Sequence, residues 1–453
     1  MKVLLVRPPR IKQAITISEF MFSEPLGLEM IYGLIEGQHK VEIFDMMADD
    51  MPLEEKLKSY EPDVVGFTSL CIDIKKLKTL AERVKTFDYN IVNFVGGTQT
   101  YLNPLAYDDE SIDYIFEYTN RENVLKVLEN ISINKVEIIP GVLDRKLGYE
   151  SSNVKSRNEF LLPNRESTRK YRNQYSYFGY KPAAIMEFGQ GCVKQCNFCL
   201  RWRIEGAKEE ILDLDLLRTD LASIKEDTIM FFDNDFLSSQ GKIETFLEMV
   251  KELNLKKNYI GYASVKGIIE YEKYLDKLRE VGLKALIAGY ESFSNEEMKD
   301  YRKKSSVEDN HKAASILKRV GIDVWASFIG HPDWDKKDFK SLRKTIKELQ
   351  PEICSISPLT PFPNLAIYED YKDRLLYEPE DYERWSFGQV MISPSKISLR
   401  NYYYELLKTN LYINLFVNRN TEMLKKYGLK NSYLLLLGGI KTLSKYVGLM
   451  ARS

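Results

Sequence analysis

Gly191-Cys192-Val193-Lys194-Gln195-Cys196-Asn197-Phe198-Cys199 is the stretch around which the rest of this 453-residue chain is organised. It contains three of the chain's five cysteines. A disulfide across so short a loop would be strained, whereas thiolates crowded onto one loop are the usual ligands of an iron–sulfur centre. The stretch is therefore the candidate active site, and a metal site is favoured over a secreted disulfide scaffold.

The number of cysteines separates the kinds of metal site that this loop could form. A structural zinc ordinarily takes four protein ligands, and no fourth cysteine or nearby histidine accompanies the loop. Three thiolates instead leave one iron of a [4Fe-4S] cluster without a protein ligand, so a chelating molecule can bind there. The sequence thus favours a cluster held by Cys192, Cys196 and Cys199 over a zinc site or a chance grouping.

Composition places the chain among ordinary globular proteins. Its 65 Lys and Arg residues nearly balance 66 Asp and Glu residues, so no basic excess attracts nucleic acid and a small-molecule partner is expected. No run of residues is apolar for long enough to span a bilayer, and the opening apolar run breaks at Arg7 instead of forming a signal peptide. We expect a cytoplasmic protein, a location that keeps thiols reduced.

The first part of the chain alternates short apolar runs with helical segments. Strands are predicted at residues 2–6, 40–44, 64–68, 91–95 and 114–116, and helices at residues 27–36, 74–87 and 121–131. This rhythm predicts a doubly wound parallel sheet, in which ligands bind at the carboxyl ends of the strands. The paired Gly96 and Gly97 at one such end serve either a close approach to a ligand or a tight turn.

A second series of strands begins just before the cysteine loop. Strands are predicted at residues 183–188, 228–232, 259–264, 285–288, 324–328 and 353–357, with helices between them. Repeated βα units of this kind build barrels, in which the loops at the carboxyl ends of the strands carry the chemistry. The cysteine loop occupies such a position, because it directly follows the first of these strands.

Cys-x-x-x-Cys-x-x-Cys with Phe198 before the last cysteine resembles the signature of the radical SAM superfamily. The resemblance implies that the six βα units form a partial barrel. It also implies that S-adenosylmethionine chelates the open iron, with Phe198 near the adenine. An electron from an external donor such as flavodoxin or ferredoxin would then cleave S-adenosylmethionine and release a 5′-deoxyadenosyl radical, which abstracts hydrogen from the substrate.

Residues at the ends of later strands match the same superfamily. Gly289-Tyr290-Glu291-Ser292 resembles its Gly-x-Glu-Ser element. The resemblance implies that these four residues contact the methionine and ribose parts of S-adenosylmethionine and that Glu291 takes part in the catalytic site; the alternative for Glu291 is a solvated turn acid.

Polar residues also follow three other predicted strands of the barrel. Asp233 and Asp235 stand where the family has an acidic pair, and they either line the S-adenosylmethionine pocket or cap the next helix. Ser264 and Lys266 follow the next strand and are candidates to hold the carboxylate of S-adenosylmethionine. The alternative for Lys266 is a solvated lysine. His331 is either a proton donor or a turn residue, and the turn role is preferred.

Residues 25–28, 41–45, 65–69 and 95–100 together resemble the cobalamin-binding domain of radical SAM proteins. The resemblance implies a flavodoxin-like fold that holds the corrin across its strand ends. The implied contact residues are Pro9, Pro25, Leu26, Gly27, Thr68, Ser69, Gly96, Gly97 and Thr98. The Asp-x-His-x-x-Gly motif that ligates cobalt in other cobalamin enzymes is absent, so cobalamin binds without that histidine or the domain binds none. Binding is favoured.

Four segments are therefore expected in this α/β chain. They are a cobalamin-binding-like Rossmann domain (1–138), a linker (139–180) that straps the surface, a radical SAM partial barrel (181–374) and a helical C-terminal region (375–453). An apolar stripe of Tyr402, Tyr403, Tyr404, Leu407, Leu411 and Phe416 is expected to pack on the barrel. The last stretch, from residue 433, either docks on the barrel, which is favoured, or makes a peripheral contact with a membrane.

A cobalamin-dependent radical SAM methyltransferase is the function that these resemblances favour, acting on an unactivated carbon of a small-molecule, lipid or peptide substrate. One alternative is a radical cyclase, rearrangement or other non-methylating enzyme whose first domain is only a scaffold. The non-enzyme alternative is a cobalamin-sensing module with a structural cluster.

Overall fold

Two α/β units and a helical hairpin follow one another along the chain, which a computed structural model describes at residues 1–11, 21–150, 156–417 and 420–452. Residues 151–155 of the predicted linker and the side chains of residues 434 and 435 lie outside the description.

The first unit is the predicted doubly wound sheet. Its strands are β1 (Lys2–Arg7), β3 (Lys40–Asp45), β4 (Val64–Thr68), β5 (Val92–Gly96), β6 (Tyr114–Phe116) and β7 (Val142–Asp144), whereas the short strand β2 (Met21–Phe22) lies outside this sheet. The sheet has the order β3-β1-β4-β5-β6-β7, in which only β7 is antiparallel to its neighbour. The flavodoxin-like order is confirmed. From β1 the chain goes to β3 on one side of the sheet, and the later strands are added on the other side, beginning with β4. The strand order therefore reverses between β1 and β4, and a crevice opens at their carboxyl ends. Because β7 joins this sheet, the unit extends past the predicted boundary at residue 138.

Helices cover both faces of this sheet. They are α1 (Leu26–Ile35), α2 (Leu53–Tyr60), α3 (Ile74–Phe87), α4 (Thr98–Leu102) and α5 (Arg121–Ile133). The strands read as unbroken apolar runs because both faces are covered; every side chain from residue 3 to residue 6 is fully buried. Sequence patterning had not placed α2 and α4, which are short.

The second unit is a partial barrel. Its strands are β9 (Ala184–Met186), β12 (Thr228–Phe231), β13 (Asn258–Ala263), β14 (Leu283–Glu291), β15 (Asp323–Gly330) and β16 (Ile353–Pro358). They pair in parallel and in chain order, as the six predicted βα units require. Two two-stranded ribbons accompany them: β8 (Ser176–Tyr177) pairs with β2, and β10 (Gly189–Gln190) pairs with β11 (Glu210–Ile211).

Helices pack on one face of the barrel sheet and a plug from the first unit covers the other. The helices are α6 (Arg201–Glu205), α7 (Leu214–Ser223), α8 (Gln240–Glu252), α9 (Val265–Glu270), α10 (Glu272–Glu280), α11 (Asn295–Asp300), α12 (Val307–Val320) and α13 (Lys336–Leu349). On the opposite face, Leu26 and Tyr177 pack among side chains from β9 and β12 to β16, including Trp325. The first unit therefore closes the inside of the barrel.

Short 3-10 helices lie in the connections. They are Cys71–Asp73, Pro104–Tyr107, Arg145–Leu147, Arg165–Thr168, Arg172–Gln174, Lys372–Arg374 and Tyr382–Arg384.

The C-terminal region consists of α14 (Ala366–Tyr371), α15 (Leu399–Tyr412), a π-helical turn (Ile413–Val417) and α16 (Asn420–Arg452), which breaks at Gly428 with φ 75°. Tyr402 and Tyr403 are buried on the barrel as predicted. Tyr404, Leu411 and Phe416 are exposed, so their predicted packing is wrong; they occupy the outer face of the helical segment. In the part of the chain that the structure describes, no helix is long and apolar enough to cross a membrane.

Buried ion pairs join the two units through the segment between them. Arg165 forms two 2.8 Å contacts with Asp220 of α7 and a 2.7 Å contact with Glu24, whose Oε1 also accepts the backbone N–H of Ile185 in β9. The predicted surface strap is thus wrong here, because Arg165 is only 5% exposed. The segment is a wedge between the two units.

Arg172 completes this junction. It contacts Glu24 at 2.5 Å and Glu29 at 3.1 Å, and it pairs with Glu226 before β12. Four carboxyls therefore surround two guanidiniums. Burial, reinforced by the neighbouring Glu24, raises the pKa of Glu29 to about 8 and so favours a retained proton, which relieves the excess of acids.

Replacing Arg165 tests the junction. Arg165→Met leaves Asp220 and Glu24 buried without a guanidinium, and we expect it to lower the free energy of unfolding by about 3–5 kcal/mol. Arg169→Met is the matched control, because Arg169 is exposed and pairs with Glu166 at a distance of 4.0 Å; the substitution should cost no more than about 0.5 kcal/mol. Urea unfolding measures both variants. Equal stabilities of the two would contradict a junction that depends on Arg165.

Candidate active site

The cysteine loop leaves the barrel through a turn that only glycine can make. Gly191 has φ 89°, and a Cβ there would lie 2.0 Å from the carbonyl oxygen of Lys208. Its N–H donates to a carboxylate oxygen of Glu205, and the N–H of Cys192 donates to the carbonyl of Gly206 at 3.0 Å. The loop is therefore folded back on α6.

Contacts from two sides hold the remainder of the loop. The indole Nε1 of Trp202 in α6 donates to the carbonyl of Cys196 at 2.9 Å. The side-chain amide of Asn197 donates to the carbonyl of Asp300 at 2.7 Å, and the ring of Phe198 meets that of Tyr301 edge-on at 5.4 Å. The end of α11 thus supports the loop from the far side.

The three thiols suit a cluster better than a single ion. In the described ranges, no three His, Cys, Asp or Glu side chains converge closely enough to hold one metal ion. A cuboidal cluster instead takes each thiolate on a different iron, so its three thiols need not converge on one ion. Burial raises the pKa of Cys196 to about 11 and that of Cys199 as well, so cluster assembly must displace their protons.

Glu291 ends β14 beside this loop and is not a solvated turn acid. It is 7% exposed and has φ 60°. A Cβ on Gly289 would lie 2.1 Å from Glu291 Oε1, so glycine makes room for the carboxylate. The Nζ of Lys303 donates to the same oxygen at 2.6 Å.

Lys303 is a functional candidate that sequence reasoning missed. Burial acts to lower its pKa, but the carboxylate of Glu291 and the thiols of Cys196 and Cys199 outweigh burial and raise it. Lys303 is therefore a buried cation between an acid and two cluster ligands. In the sequence it stands in a run with Arg302 and Lys304, which looks like a solvated basic surface. Only the fold turns its side chain inward.

The other members of the Gly-x-Glu-Ser element have structural partners. The ring of Tyr290 is fully buried in the barrel core, 6.0 Å from that of Phe328, so its side chain is remote from a ligand. The hydroxyl of Ser292 donates to Glu297 and accepts from the N–H of Ser294. Contacts of Gly289, Tyr290 and Ser292 with S-adenosylmethionine stay predictions that rest on their backbone groups.

The acidic pair splits into two roles. Asp233 accepts the N–H of Phe188 at 2.8 Å and pairs with Lys242 at 2.6 Å, so it is committed to the barrel wall. Asp235 pairs with Lys194 of the cysteine loop and accepts the N–H of Ser264 at 3.0 Å. Asp235 thus ties the loop to the end of β13.

Ser264 and Lys266 are also engaged within the protein. The hydroxyl of Ser264 caps α9 by accepting the N–H of Gly267 at 2.9 Å, and Lys266 pairs with Asp309 at 2.8 Å. Their contact with the carboxylate of S-adenosylmethionine remains a prediction. His331 occupies a turn, as preferred: its Nδ1 accepts the N–H of Asp333 at 3.1 Å.

The predicted cobalamin residues gather at the crevice of the first sheet, with exceptions. Ser69 donates its N–H to the carbonyl of Gly96 at 3.1 Å, and a Cβ on Gly97 would lie 2.9 Å from the carbonyl oxygen of Ser69. Gly97, at φ 121°, therefore serves a close backbone turn. Thr68 belongs to the same group, since its hydroxyl lies 3.3 Å from that Cβ position.

The remaining predicted residues divide between the two units. Thr98 is exposed at the start of α4, and Pro9 follows β1 with intermediate exposure. Pro25 caps α1, Gly27 is exposed in its first turn, and Leu26 is buried against the inner face of the barrel. Their contacts with cobalamin stay predictions, and for Leu26 the structure gives a packing role instead.

A cleft lies between the two units at these strand ends. It is lined by Cys71, Gln99, Leu102, Asn103, Phe362, Pro363, Asn364, Pro379, Glu380, Tyr382 and Trp385. Asn364, after β16, donates to the carbonyl of Leu102 at 3.1 Å and so bridges the cleft. Cys71, after β4, packs against the same apolar cluster as Phe198 of the cysteine loop. Residues that follow strands of both sheets therefore pack against one apolar group of side chains.

Comparison with known proteins agrees with this architecture. The sequence model described as "Radical SAM superfamily" matches residues 186–346. The hopanoid C-3 methylase of Methylococcus capsulatus is 26% identical over 419 residues, covering 90% of this chain and 79% of that protein.

Two solved structures share the fold across both units. The radical enzyme OxsB, solved with aqua-cobalamin and S-adenosylmethionine, superposes with a TM-score of 0.71 at 15% identity and covers 97% of this chain and 71% of that chain. The methyltransferase TsrM from Kitasatospora setae, solved with cobalamin and a [4Fe-4S] cluster, gives 0.70 at 14% identity and covers 90% of each chain. The chain therefore contains a region, residues 186–346, that matches the radical SAM superfamily, and it shares the two-unit fold of OxsB and TsrM.

Proposed function

We propose that this protein is a cobalamin-dependent radical SAM methyltransferase that adds a methyl group to an unactivated carbon of an apolar small molecule. One observation carries the proposal: the cysteine loop and the crevice of the first sheet border one apolar cluster, in which Phe198 and Cys71 both take part. A substrate bound beside this apolar cluster would face both cofactor sites at once, as methyl transfer requires.

The site residues suit the chemistry of the bound groups. The cluster would supply an electron to S-adenosylmethionine at its open iron, and cobalamin would supply a carrier for the methyl group. Cys192, Cys196 and Cys199 are the cluster ligands. The crevice residues around Thr68, Ser69 and Gly96 would hold the corrin without a histidine ligand, because no histidine lies among them.

The Glu291–Lys303 pair would orient S-adenosylmethionine. Its ammonium and carboxylate groups carry opposite charges, so Glu291 suits the ammonium group or the ribose hydroxyls and Lys303 suits the carboxylate. The pair already lies at 2.6 Å in a buried place beside Cys196, which means that the charges are in position before the ligand arrives. Such preorganisation lowers the cost of binding.

Substrate class follows from the lining of the cleft. Leu102, Phe362 and Trp385 offer apolar surface, whereas Glu380 is the one acid among the lining residues. These apolar residues suit an apolar molecule, and Gln99, Asn103, Asn364 and Tyr382 in the same lining offer polar partners to its functional groups. A polycyclic lipid, as the name of the Methylococcus relative indicates for that protein, is the substrate type that we favour.

The net reaction consumes two molecules of S-adenosylmethionine and two electrons. One molecule of S-adenosylmethionine gives up its methyl group and leaves S-adenosylhomocysteine. The other molecule is cleaved to methionine and 5′-deoxyadenosine, which keeps the hydrogen removed from the substrate. The electrons require an external donor such as flavodoxin or ferredoxin. A cytoplasmic location would provide such a donor and would keep the cysteine thiols of this protein reduced.

Product analysis tests the proposed reaction. Protein reconstituted anaerobically with iron, sulfide and hydroxocobalamin, given S-adenosylmethionine, reduced flavodoxin and a polycyclic lipid, should form S-adenosylhomocysteine and 5′-deoxyadenosine in equal amounts with the methylated product. Cys196→Ala should abolish 5′-deoxyadenosine formation. If only 5′-deoxyadenosine appears, the enzyme does not transfer methyl groups. If an intact cluster cleaves no S-adenosylmethionine at all, a sensing module is favoured.

Replacing Lys303 tests its assigned role. Lys303→Met keeps the stem and removes the buried ammonium, and we expect about tenfold to hundredfold weaker binding of S-adenosylmethionine, since a hydrogen bond to a charged group is worth about 1.5–3 kcal/mol. Lys299→Met is the matched control, because Lys299 is an exposed lysine on α11 outside the cysteine loop. Equilibrium dialysis on protein of equal iron content measures the affinity. Equal affinity of the two variants would contradict the assignment.

A further inference from the structure

The C-terminal hairpin, defined here as α15, the π-helical turn and α16, has an exposed apolar face. Its members are Leu415, Phe416, Leu429, Tyr433, Leu436 and Ile440. Leu429 is 80% exposed and Phe416 is 72% exposed. Contiguous apolar surface of this kind on a water-facing helix marks an interaction site.

Within α16 the exposed apolar residues form one stripe. Leu429, Tyr433, Leu436 and Ile440 recur at the spacing of a single helix face. The inner face of the same helix is used by Tyr446, which is 2% exposed and lies 6.2 Å from the ring of Tyr403. The hairpin is therefore docked on the barrel by one face, as the sequence had favoured, while a second apolar face points outward.

The charge of the hairpin indicates which partner its outer apolar face binds. Residues 399–453 contain nine Lys and Arg but only two acids, although the whole chain has a net charge of -1. Lys430 and Lys441 each directly follow a member of the stripe, which places them about 100° around the helix at its border. An apolar stripe bordered by lysines is the pattern of a helix that lies on an anionic membrane.

We propose that the outer face of the hairpin docks the protein on the surface of an anionic lipid bilayer. The apolar stripe enters the boundary between headgroups and acyl chains, and the bordering lysines meet lipid phosphates. A second copy of the chain is a poorer occupant, because two hairpins of this charge would repel each other.

The hairpin is also connected to the cleft. Tyr403 of α15 accepts a hydrogen bond from Gln389 at 3.0 Å, and Gln389 donates to Tyr377 as well. Trp385, in the same segment of chain, lines the cleft. A docked protein would thus hold its cleft close to the bilayer, where an apolar substrate is dissolved. This last step rests on the proposed function, whereas docking itself does not.

Vesicle flotation of the full-length protein tests the docking. Wild type should float with vesicles of equal parts phosphatidylglycerol and phosphatidylcholine and remain unbound with phosphatidylcholine alone. Ile440→Asp should weaken binding about tenfold or more, because a charge replaces an inserted apolar side chain. Lys430→Gln and Lys441→Gln should each weaken it about fivefold at low salt.

Ile133→Asp is the matched control, since Ile133 is an equally exposed isoleucine at the end of α5 in the first unit, and it should bind like wild type. Iron content and cleavage of S-adenosylmethionine in detergent-free buffer, measured on each variant, separate docking from chemistry. Absence of vesicle binding by wild type, or equal binding by Ile440→Asp, would overturn the proposal. A wild-type dimer that Ile440→Asp converts to a monomer, without vesicle binding, would assign the face to self-association and overturn it as well.

Discussion

Two arginines buried among four carboxyls fix how the halves of this protein face each other. Arg165 and Arg172 come from the connecting segment, and their partners come from both units. Burying charges costs several kcal/mol per ion, which such pairs often only offset. We therefore infer that the ion pairs of the junction fix the orientation of the two units more than they increase the stability of the protein. The edges of the two sheets meet at one cleft because this orientation is fixed.

Charge balance governs the cluster loop in the same way. Lys303 lies beside Glu291, and Lys194 lies against Asp235, so two acids beside the loop are each paired with a lysine. The pairs come from strand ends that are far apart in sequence but adjacent in the barrel. A rigid, charge-balanced pocket suits radical chemistry, in which water and misplaced groups lead to side reactions.

Much of the fold could be predicted because strands buried on both faces are continuous apolar runs, as residues 3–6 illustrate. The cysteine loop was recognisable because its ligands are local in sequence. Lys303, the junction and the plug at Leu26 were not, because each depends on partners distant in the chain. Arg165 and Glu24, for example, are 141 residues apart. For a related reason, the motif specifies the backbone position of Tyr290 but not that its ring points into the core.

The central claim is that the iron–sulfur and cobalamin sites lie beside one group of packed apolar side chains, to which Phe198 and Cys71 both belong. Electron paramagnetic resonance of protein that contains both cofactors tests it directly, with the cobalt and the cluster each reduced to a paramagnetic state. The account predicts that the cobalt signal is broadened by magnetic coupling to the cluster and that this broadening is lost in Cys196→Ala. A cobalt signal identical with and without the cluster would contradict the account.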